Sequence, residues 1–433
     1  MINDKFNTNE LKQILFVTAS FPYPPGEQFI ESEIEHWSNL SWAKVMLLPN
    51  ISKGAPRTAP NDIKVLPSAS LDTKMYKIIF ILRASFSLLL WREIAYLIGK
   101  KRLTFATGFT ALRSVAKTLK EKLKLTKTIQ CIGHVDVAYC YWNTESSYAA
   151  CLLKEKRLIS RVISRAHRFD LYEERRSQNY MPLKRQFVHT FDKIYAISNE
   201  GEHYLHRTYG FSPKQLTVSR LGVRRAKKLS MASSANELRI VSTSFCVPVK
   251  RIHLIIAGIR SFAQLRPQES IFWTHVGDGP LRENLEKEAT QQLGKLNNIR
   301  WHFSGMLKND DVLKFYERNT VDVFINCSVS EGVPVSIMEA MAHGIPAIAP
   351  SIGGIPELID KSCGVLLPIN FSIGDIVSAI ERVSLKEHKN AYRIAAQERI
   401  NNLYSAEKNY TNFVKSIKDE LDPEGSHQVE DDL

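Results

Sequence analysis

Two glutamates, Glu331 and Glu339, lie on either side of Gly332-Val333-Pro334 within the stretch SVSEGVPVSIMEAMAHGIPAIAPSIGGIPELI, residues 328–359. A short apolar run, 321–326, precedes it. Val335, Ile337, Met338, Ala340 and Met341 then recur at helical spacing and stop at Gly344. The spacing predicts a strand, a tight loop, a helix and a second strand over 347–349. A helix that opens at a glycine-containing loop offers unpaired N–H groups and the positive end of its dipole, a combination that suits a phosphate. With a carboxylate on each side, one can reach the sugar end of a nucleotide sugar while the other accepts hydrogen bonds from its ribose hydroxyls, the diphosphate lying between them. An ordinary strand-helix unit with one glutamate near the helix start and one on its surface accounts for the pair alone equally well.

The continuation Glu-Ala-Met-Ala-x-Gly-x-Pro and the Gly353-Gly354 loop narrow that choice. The whole stretch resembles the signature of the retaining nucleotide-sugar glycosyltransferases of family 4, which have the GT-B fold. The resemblance implies transfer of a sugar from a nucleotide donor to an acceptor hydroxyl with retained anomeric configuration. It also implies Glu331 as a catalytic residue and donor contacts from Gly332, Val333, Pro334 and Glu339. A second segment, Arg165-Ala-His-Arg-Phe-Asp-Leu-Tyr172, looks like the one that carries the acceptor-side histidine in enzymes building bacterial surface polysaccharides. It implies His167 as the second catalytic residue, with Asp170 on the acceptor side; a lone histidine at a strand end is otherwise more often structural.

Lys250 stands where the family places a lysine that neutralises the donor diphosphate, and without the resemblance it is a plain helix-start lysine. The common pattern has an arginine five residues earlier, where this chain has Phe245. Either Arg251 takes up that charge or the phosphate site is weaker. The loop Gly277-Asp-Gly-Pro280 follows an expected strand and is of the kind that admits phosphate or base through Gly277 and Gly279. Gly26 and Glu27 end the proline-rich loop after the first strand, as acceptor contacts or as an ordinary turn. That loop lacks the G-x-G-x-x-G of a dinucleotide site, which argues against hydride transfer.

These residues need elements to hold them. Strands and helices alternate on both sides of a polar run, 224–236, so the expected architecture is α/β, GT-B, with two Rossmann-like α/β/α domains facing across a cleft. The expected divisions are an acceptor domain over 1–223, a linker at 224–236 and a nucleotide-sugar domain over 237–389. Helices over 390–420 are expected to cross back to the first domain, followed by a disordered acidic tail at 421–433. Within 75–127 the apolar positions Leu112, Val115, Ala116, Leu119 and Leu123 recur at helical spacing with lysines and arginines on other faces. Such a helix lies on an anionic membrane or faces a core with one wet side.

The chain has 433 residues, 44% hydrophobic and 24% charged, as globular proteins have. Its formal charge is +13, and about +14 falls in residues 1–220, an excess that suits an acidic partner of the first domain or is simply a solvated surface. The six cysteines form no C-x-x-C pair and read as core residues in a reducing compartment. No basic leader and no apolar run of about 18 residues is present, giving a cytoplasmic protein peripheral to the inner face of the membrane. The expected partners are a nucleotide-sugar donor, used as co-substrate with no cofactor and no metal, and a saccharide acceptor on a polyprenyl diphosphate. Nucleic acid is not expected, since no reader motif accompanies the charge. A nucleotide-sugar epimerase of the same fold and an inactive membrane assembly partner are the rival readings.

Overall fold

Ile14-Leu15-Phe16-Val17 is apolar on both faces, as a strand covered by helices on both sides must be, and all four side chains are buried. They form the centre of β1 (Lys12–Thr18) in a computed structural model that describes residues 11–24, 26–234 and 236–422. The same patterning gives β2 (Ala43–Pro49), β3 (Lys64–Val65), β4 (Val135–Cys140), β5 (Ile159–Ala166), β6 (Lys193–Ala196) and β7 (Leu216–Val218). They make one parallel sheet in the order β3-β2-β1-β4-β5-β6-β7, with Ile14 opposite Val137 and Val17 opposite Cys140. The order reverses between β1 and β4, so the loops at their carboxyl ends part and leave a ligand crevice there.

A second parallel sheet repeats the plan. β8 (Glu237–Thr243), β9 (Ser270–Val276), β10 (Ile299–Gly305), β11 (Val323–Ile325), β12 (Ala347–Pro350) and β13 (Gly364–Leu367) run in the order β10-β9-β8-β11-β12-β13. Here the reversal lies between β8 and β11, where Val241 faces Phe324. The chain thus has the expected two Rossmann-like α/β units. The first runs to Ser219 and resumes at Phe413; the second is Arg220–Asn412.

The boundaries differ from those read off composition. The run expected to be a linker is bound to the second unit: the Ser230 amide donates to the His343 carbonyl at 3.0 Å, and the Ser233 amide to Asp322 at 2.9 Å. Composition registers polarity, and a polar strap that satisfies its backbone on a neighbour has the composition of a free linker. The helix Lys386–Leu403 also stays in the second unit, where Arg393 donates to the Val321 carbonyl at 2.8 Å and Arg399 to that of Leu358 at 2.8 Å. Only the later half of helix Ala406–Leu421 belongs to the first unit, with Phe413, Val414 and Ile417 in the core around Trp37 and Tyr139. Of the expected acidic tail, residues 423–433 lie outside the described residues.

Between β3 and β4 the first unit carries helices Lys74–Ser85, Leu88–Gly99 and Phe105–Ile132, N-capped by the side chains of Thr73, Ser87 and Thr104. In the longest, Val115 and Ala116 are buried and Leu112, Leu119 and Leu123 pack against the same core. The apolar stripe legible in the sequence therefore faces inward. The exposed apolar surface lies elsewhere, at Ile78, Phe86, Trp91 and Phe105, the last 90% accessible. Among the described residues no helix is long and apolar enough to cross a membrane.

Candidate active site

In the second unit, the β8/β11 reversal puts the loop after β8 beside the loop after β11. Each carries one half of an ion pair: Lys250 Nζ lies 2.5 Å from Glu331 Oε1. Glu331 is 6% exposed, and Asn326 at the end of β11 donates a second hydrogen bond to the same oxygen at 3.3 Å. Asn326 is itself held, its Oδ1 accepting from the Ser328 amide at 2.8 Å. Burial opposes charge on Glu331, but the Lys250 charge and the hydrogen bonds from Lys250, Ser328 and Asn326 outweigh it and hold the carboxyl below its ordinary pKa. Glu331 is therefore a carboxylate at neutral pH.

Pro334 caps the helix Val335–Ala342, whose Ile337, Met338, Ala340 and Met341 are buried and fix its axis. Its first turn follows directly on Gly332-Val333, so the free amides of the helix start lie in the same loop as Glu331. Gly353 shapes the loop from behind. Its φ is +52°, and a Cβ there would stand 2.1 Å from the Glu331 carbonyl oxygen. The Gly354 amide donates to the Gly332 carbonyl at 2.8 Å. Glu339, on the helix, is 8% exposed and accepts from Asn309 Nδ2 at 2.6 Å. Burial pushes its pKa up to about 7, against the Asn309 hydrogen bond that favours the carboxylate.

Gly277 and Gly279 bring the β9 loop onto the β8 loop. A Cβ on Gly277 would lie 1.8 Å from the Ser244 carbonyl oxygen, and one on Gly279 would lie 2.8 Å from that of Cys246. The Cys246 amide donates to the Asp278 carbonyl at 2.9 Å, closing the contact. Arg251 is spoken for: its Nε donates to the Cys327 carbonyl at 2.7 Å and its guanidinium lies over Phe371 at 4.6 Å. It braces the end of β11, while Phe245 is 59% exposed.

In the first unit, His167 directly follows β5 and is 7% exposed. Tyr141 stacks on it and Trp142 tilts against it, each with ring centroids 4.7 Å away. Neither ring nitrogen has a hydrogen-bond partner among the described residues. Burial, reinforced by the positive charge of Arg165, holds its pKa well below the ordinary histidine value, so the ring is neutral. Two residues expected on the acceptor side turn out to be internal supports. Asp170 is fully buried and accepts from the amides of His167 and Asn143, each at 2.6 Å, while Lys184 bonds the carbonyl of Asp170 and the side chain of Asn143. Glu27, 5% exposed, accepts from the amides of Ala19, Ser20 and Phe21 and from Trp142 Nε1 at 2.6 Å. Through Trp142 it steadies the ring packed against His167. Gly26, with φ +83°, is open and exposed.

Residues 225–400 match the family described as Glycosyl transferases group 1. The match takes in most of the second unit. Similar proteins include WcaL of Salmonella typhimurium, named for a glycosyltransferase role in colanic acid biosynthesis, which is 27% identical over 54% of this chain and 58% of its own length. AmsK of Erwinia amylovora, an amylovoran biosynthesis glycosyltransferase, is 28% identical over 39% of this chain and 42% of its own. The chain thus spans about half the length of the curated relatives it matches. Beyond the group 1 domain, the fold as a whole is that of GT-B proteins. The lipopolysaccharide outer core galactosyltransferase WaaB superposes with a TM-score of 0.64 over 93% of this chain and 99% of its own, at 17% identity. HepE of Anabaena, solved with UDP and glucose, gives 0.62 over 94% and 100%, also at 17% identity.

The sequence did not reveal what supports the group 1 domain's glutamates. Asn309 lies in a separate element from Glu339 and Asn326 at the start of Glu331's own loop, and an asparagine at a strand end or helix start is commonplace. Their only sequence signal is position at a strand's carboxyl end for Asn326 and at the first residue of a helix for Asn309.

Proposed function

We propose that this protein transfers a sugar from a nucleotide-sugar donor, with retention of configuration, to a saccharide carried on a lipid diphosphate during bacterial surface-polysaccharide synthesis. The observation that carries the reading is the Lys250–Glu331 pair, with Glu331 buried and Lys250 partly so, at the strand-order reversal of a group 1 domain and contiguous with the start of helix Val335–Ala342. A cation, a carboxylate and a helix N-terminus in one crevice suit a group that is anionic at one end and rich in hydroxyls at the other. The relatives named for polysaccharide synthesis and the neighbour solved with UDP and glucose support the same class of donor and product.

As the bond from the anomeric carbon to the diphosphate breaks, negative charge grows on the leaving phosphate. Lys250 retains two N–H donors beyond the one given to Glu331, and with the helix amides it stabilises that charge. Glu331 orients the sugar, and Glu339 receives the ribose hydroxyls. The acceptor hydroxyl attacks the face the phosphate leaves, its proton passing to the departing oxygen, and neutral His167 hydrogen-bonds the transferring sugar or the incoming hydroxyl. Since the charge is met by Lys250 and the helix start, turnover in excess EDTA is expected to equal turnover without it. The acceptor's lipid and the net positive charge of the first unit support a site of action at an anionic membrane surface.

Lys250→Ala and Glu331→Ala, assayed for sugar transfer with UDP-, GDP- and ADP-sugars, are each expected to lose about 10²–10³-fold in kcat/KM, the range found for removing one charge-stabilising group. Circular dichroism checks that both fold. Full turnover in both folded variants would remove the assignment.

A further inference from the structure

The first unit contains a cavity of about 780 Å³ that none of the residues discussed so far requires. That volume suits a small-molecule ligand. Helices Lys74–Ser85 and Phe105–Ile132 form one wall, and the loops after β4 and β5 form the other. Five cations line it: Lys77, Arg113, Lys117, Lys120 and Arg176. Lys117 is paired with Glu145 at 2.8 Å and Lys120 with Asp72 at 2.8 Å. Lys77, Arg113 and Arg176 make no ion pair among the described residues, so the cavity keeps an excess of positive charge. Asn143, fully buried, also lines it. Its Oδ1 accepts from Lys184, while its Nδ2 has no partner among the described residues, a donor that buried amides rarely leave unmatched.

The wall is not uniformly polar. Phe80, Ile81 and Phe109 line it, and Phe109 lies parallel to Phe105 at 6.2 Å. Phe105 is 90% accessible, and on the adjoining helix Met75, Ile78 and Leu82 are each more than half exposed. Through Phe109 and Phe105 an apolar path thus continues from the cavity onto the surface of helix Phe105–Ile132. A soluble protein normally covers such a path unless something apolar is to lie on it.

We propose that this cavity binds the diphosphate of an isoprenoid lipid, with Lys77, Arg113 and Arg176 balancing its charge and Asn143 Nδ2 donating to one of its oxygens, while the hydrocarbon runs over Phe109 and Phe105. The identity of the ligand rests on the transferase reading above; the position of the site does not. Phe169, which lines the cavity, lies 6.5 Å from Trp142, the ring packed on His167. A saccharide linked to a diphosphate held here begins within reach of the histidine.

Farnesyl diphosphate, inorganic diphosphate and farnesol serve as probes, titrated calorimetrically into the full chain. Farnesyl diphosphate is expected to bind at least tenfold more tightly than either fragment, because only it satisfies both the cations and the apolar path. The Lys77→Gln/Arg113→Gln double variant is expected to weaken it at least tenfold, as is Thr110→Glu, which sets a carboxylate on the helix wall without touching a buried residue. Farnesol matching farnesyl diphosphate would overturn the anion site, and inorganic diphosphate matching it would overturn the lipid path. Unchanged affinity in both variants would overturn the whole assignment. UDP is titrated into the same samples: UDP binding without farnesyl diphosphate binding sinks the cavity alone, whereas farnesyl diphosphate binding without any nucleotide binding sinks the donor half of the transferase reading.

Discussion

Glu331 and Glu339 are the same residue type eight positions apart, yet their surroundings set them to different charges. Glu331 has a lysine at 2.5 Å; Glu339 has a neutral amide. Burial therefore wins at Glu339 and loses at Glu331. With its folded pKa raised from 4.5 to about 7, Glu339 stays protonated while the unfolded chain ionises, so it subtracts stability as pH climbs through that window and costs nothing below it. A ribose donating hydroxyl hydrogens to this group prefers the carboxylate, and nucleotide binding then drives the proton off. UDP affinity should accordingly rise between pH 6 and 8 with release of a proton, measured as a dependence of the calorimetric heat on buffer ionisation enthalpy, and Glu339→Gln should flatten the profile. A flat profile in the unaltered protein would show that the ribose does not engage Glu339. The sequence displayed both glutamates but not this asymmetry, because the deciding neighbours, Lys250 and Asn309, are 81 and 30 residues away in the chain.

At the scale of elements, the site is a set of loops held at close quarters by glycines. Gly353 is the tightest support of the Glu331 loop: its φ of +52° and the 2.1 Å that would separate a Cβ from the Glu331 carbonyl oxygen leave no room for a side chain. Gly353→Ala must push back either its own turn or residues 331–332. We expect it to fold, to lose about 1–3 kcal/mol of stability and to bind UDP at least tenfold more weakly, checked by thermal melting and titration. Wild-type UDP affinity would mean that the Glu331 loop tolerates displacement. The strand, loop and helix that carry this site were legible because the apolar period changes from strand-like to helical at a glycine and a proline. The β8/β11 meeting that brings in Lys250 was legible only as far as parallel topology implies a strand-order reversal. Of the two readings open for the basic helix, the core-facing one holds: its apolar stripe at Leu112, Val115 and Leu119 covers a core, and periodicity alone reports that a face is buried without saying against what. Glu27 and Asp170 carry a similar ambiguity, a carboxylate after a parallel strand being as able to tie loops together as to meet a ligand.

The whole molecule consists of two units threaded by one chain that crosses between them at Ser219–Arg220 and again within helix Ala406–Leu421. The second crossing ties the first unit's core to the end of the chain. Phe413 meets Trp37 edge-on at 5.9 Å and Tyr139 at 5.2 Å, and the Arg165 guanidinium lies 4.2 Å from the centre of its ring. Arg165 is fully buried and pairs with Glu33 at 3.2 Å, so removing the ring opens a cavity beside a buried charge. Phe413→Ala should therefore destabilise the first unit by about 3–5 kcal/mol. In the proposed reading a donor nucleotide binds residues of the second unit, and at a hundredfold excess over its Kd a ligand stabilises what it binds by about 2.7 kcal/mol. Hydrogen exchange separates the two effects. In Phe413→Ala, amides of β1, β4 and residues 413–421 should exchange faster, and UDP should slow exchange over the loops after β8, β9 and β11 without restoring protection in β1 and β4. Restoration of the first unit by UDP would show that nucleotide binding is coupled to the folding of both units, and the donor site could then no longer be ascribed to the second unit's residues alone.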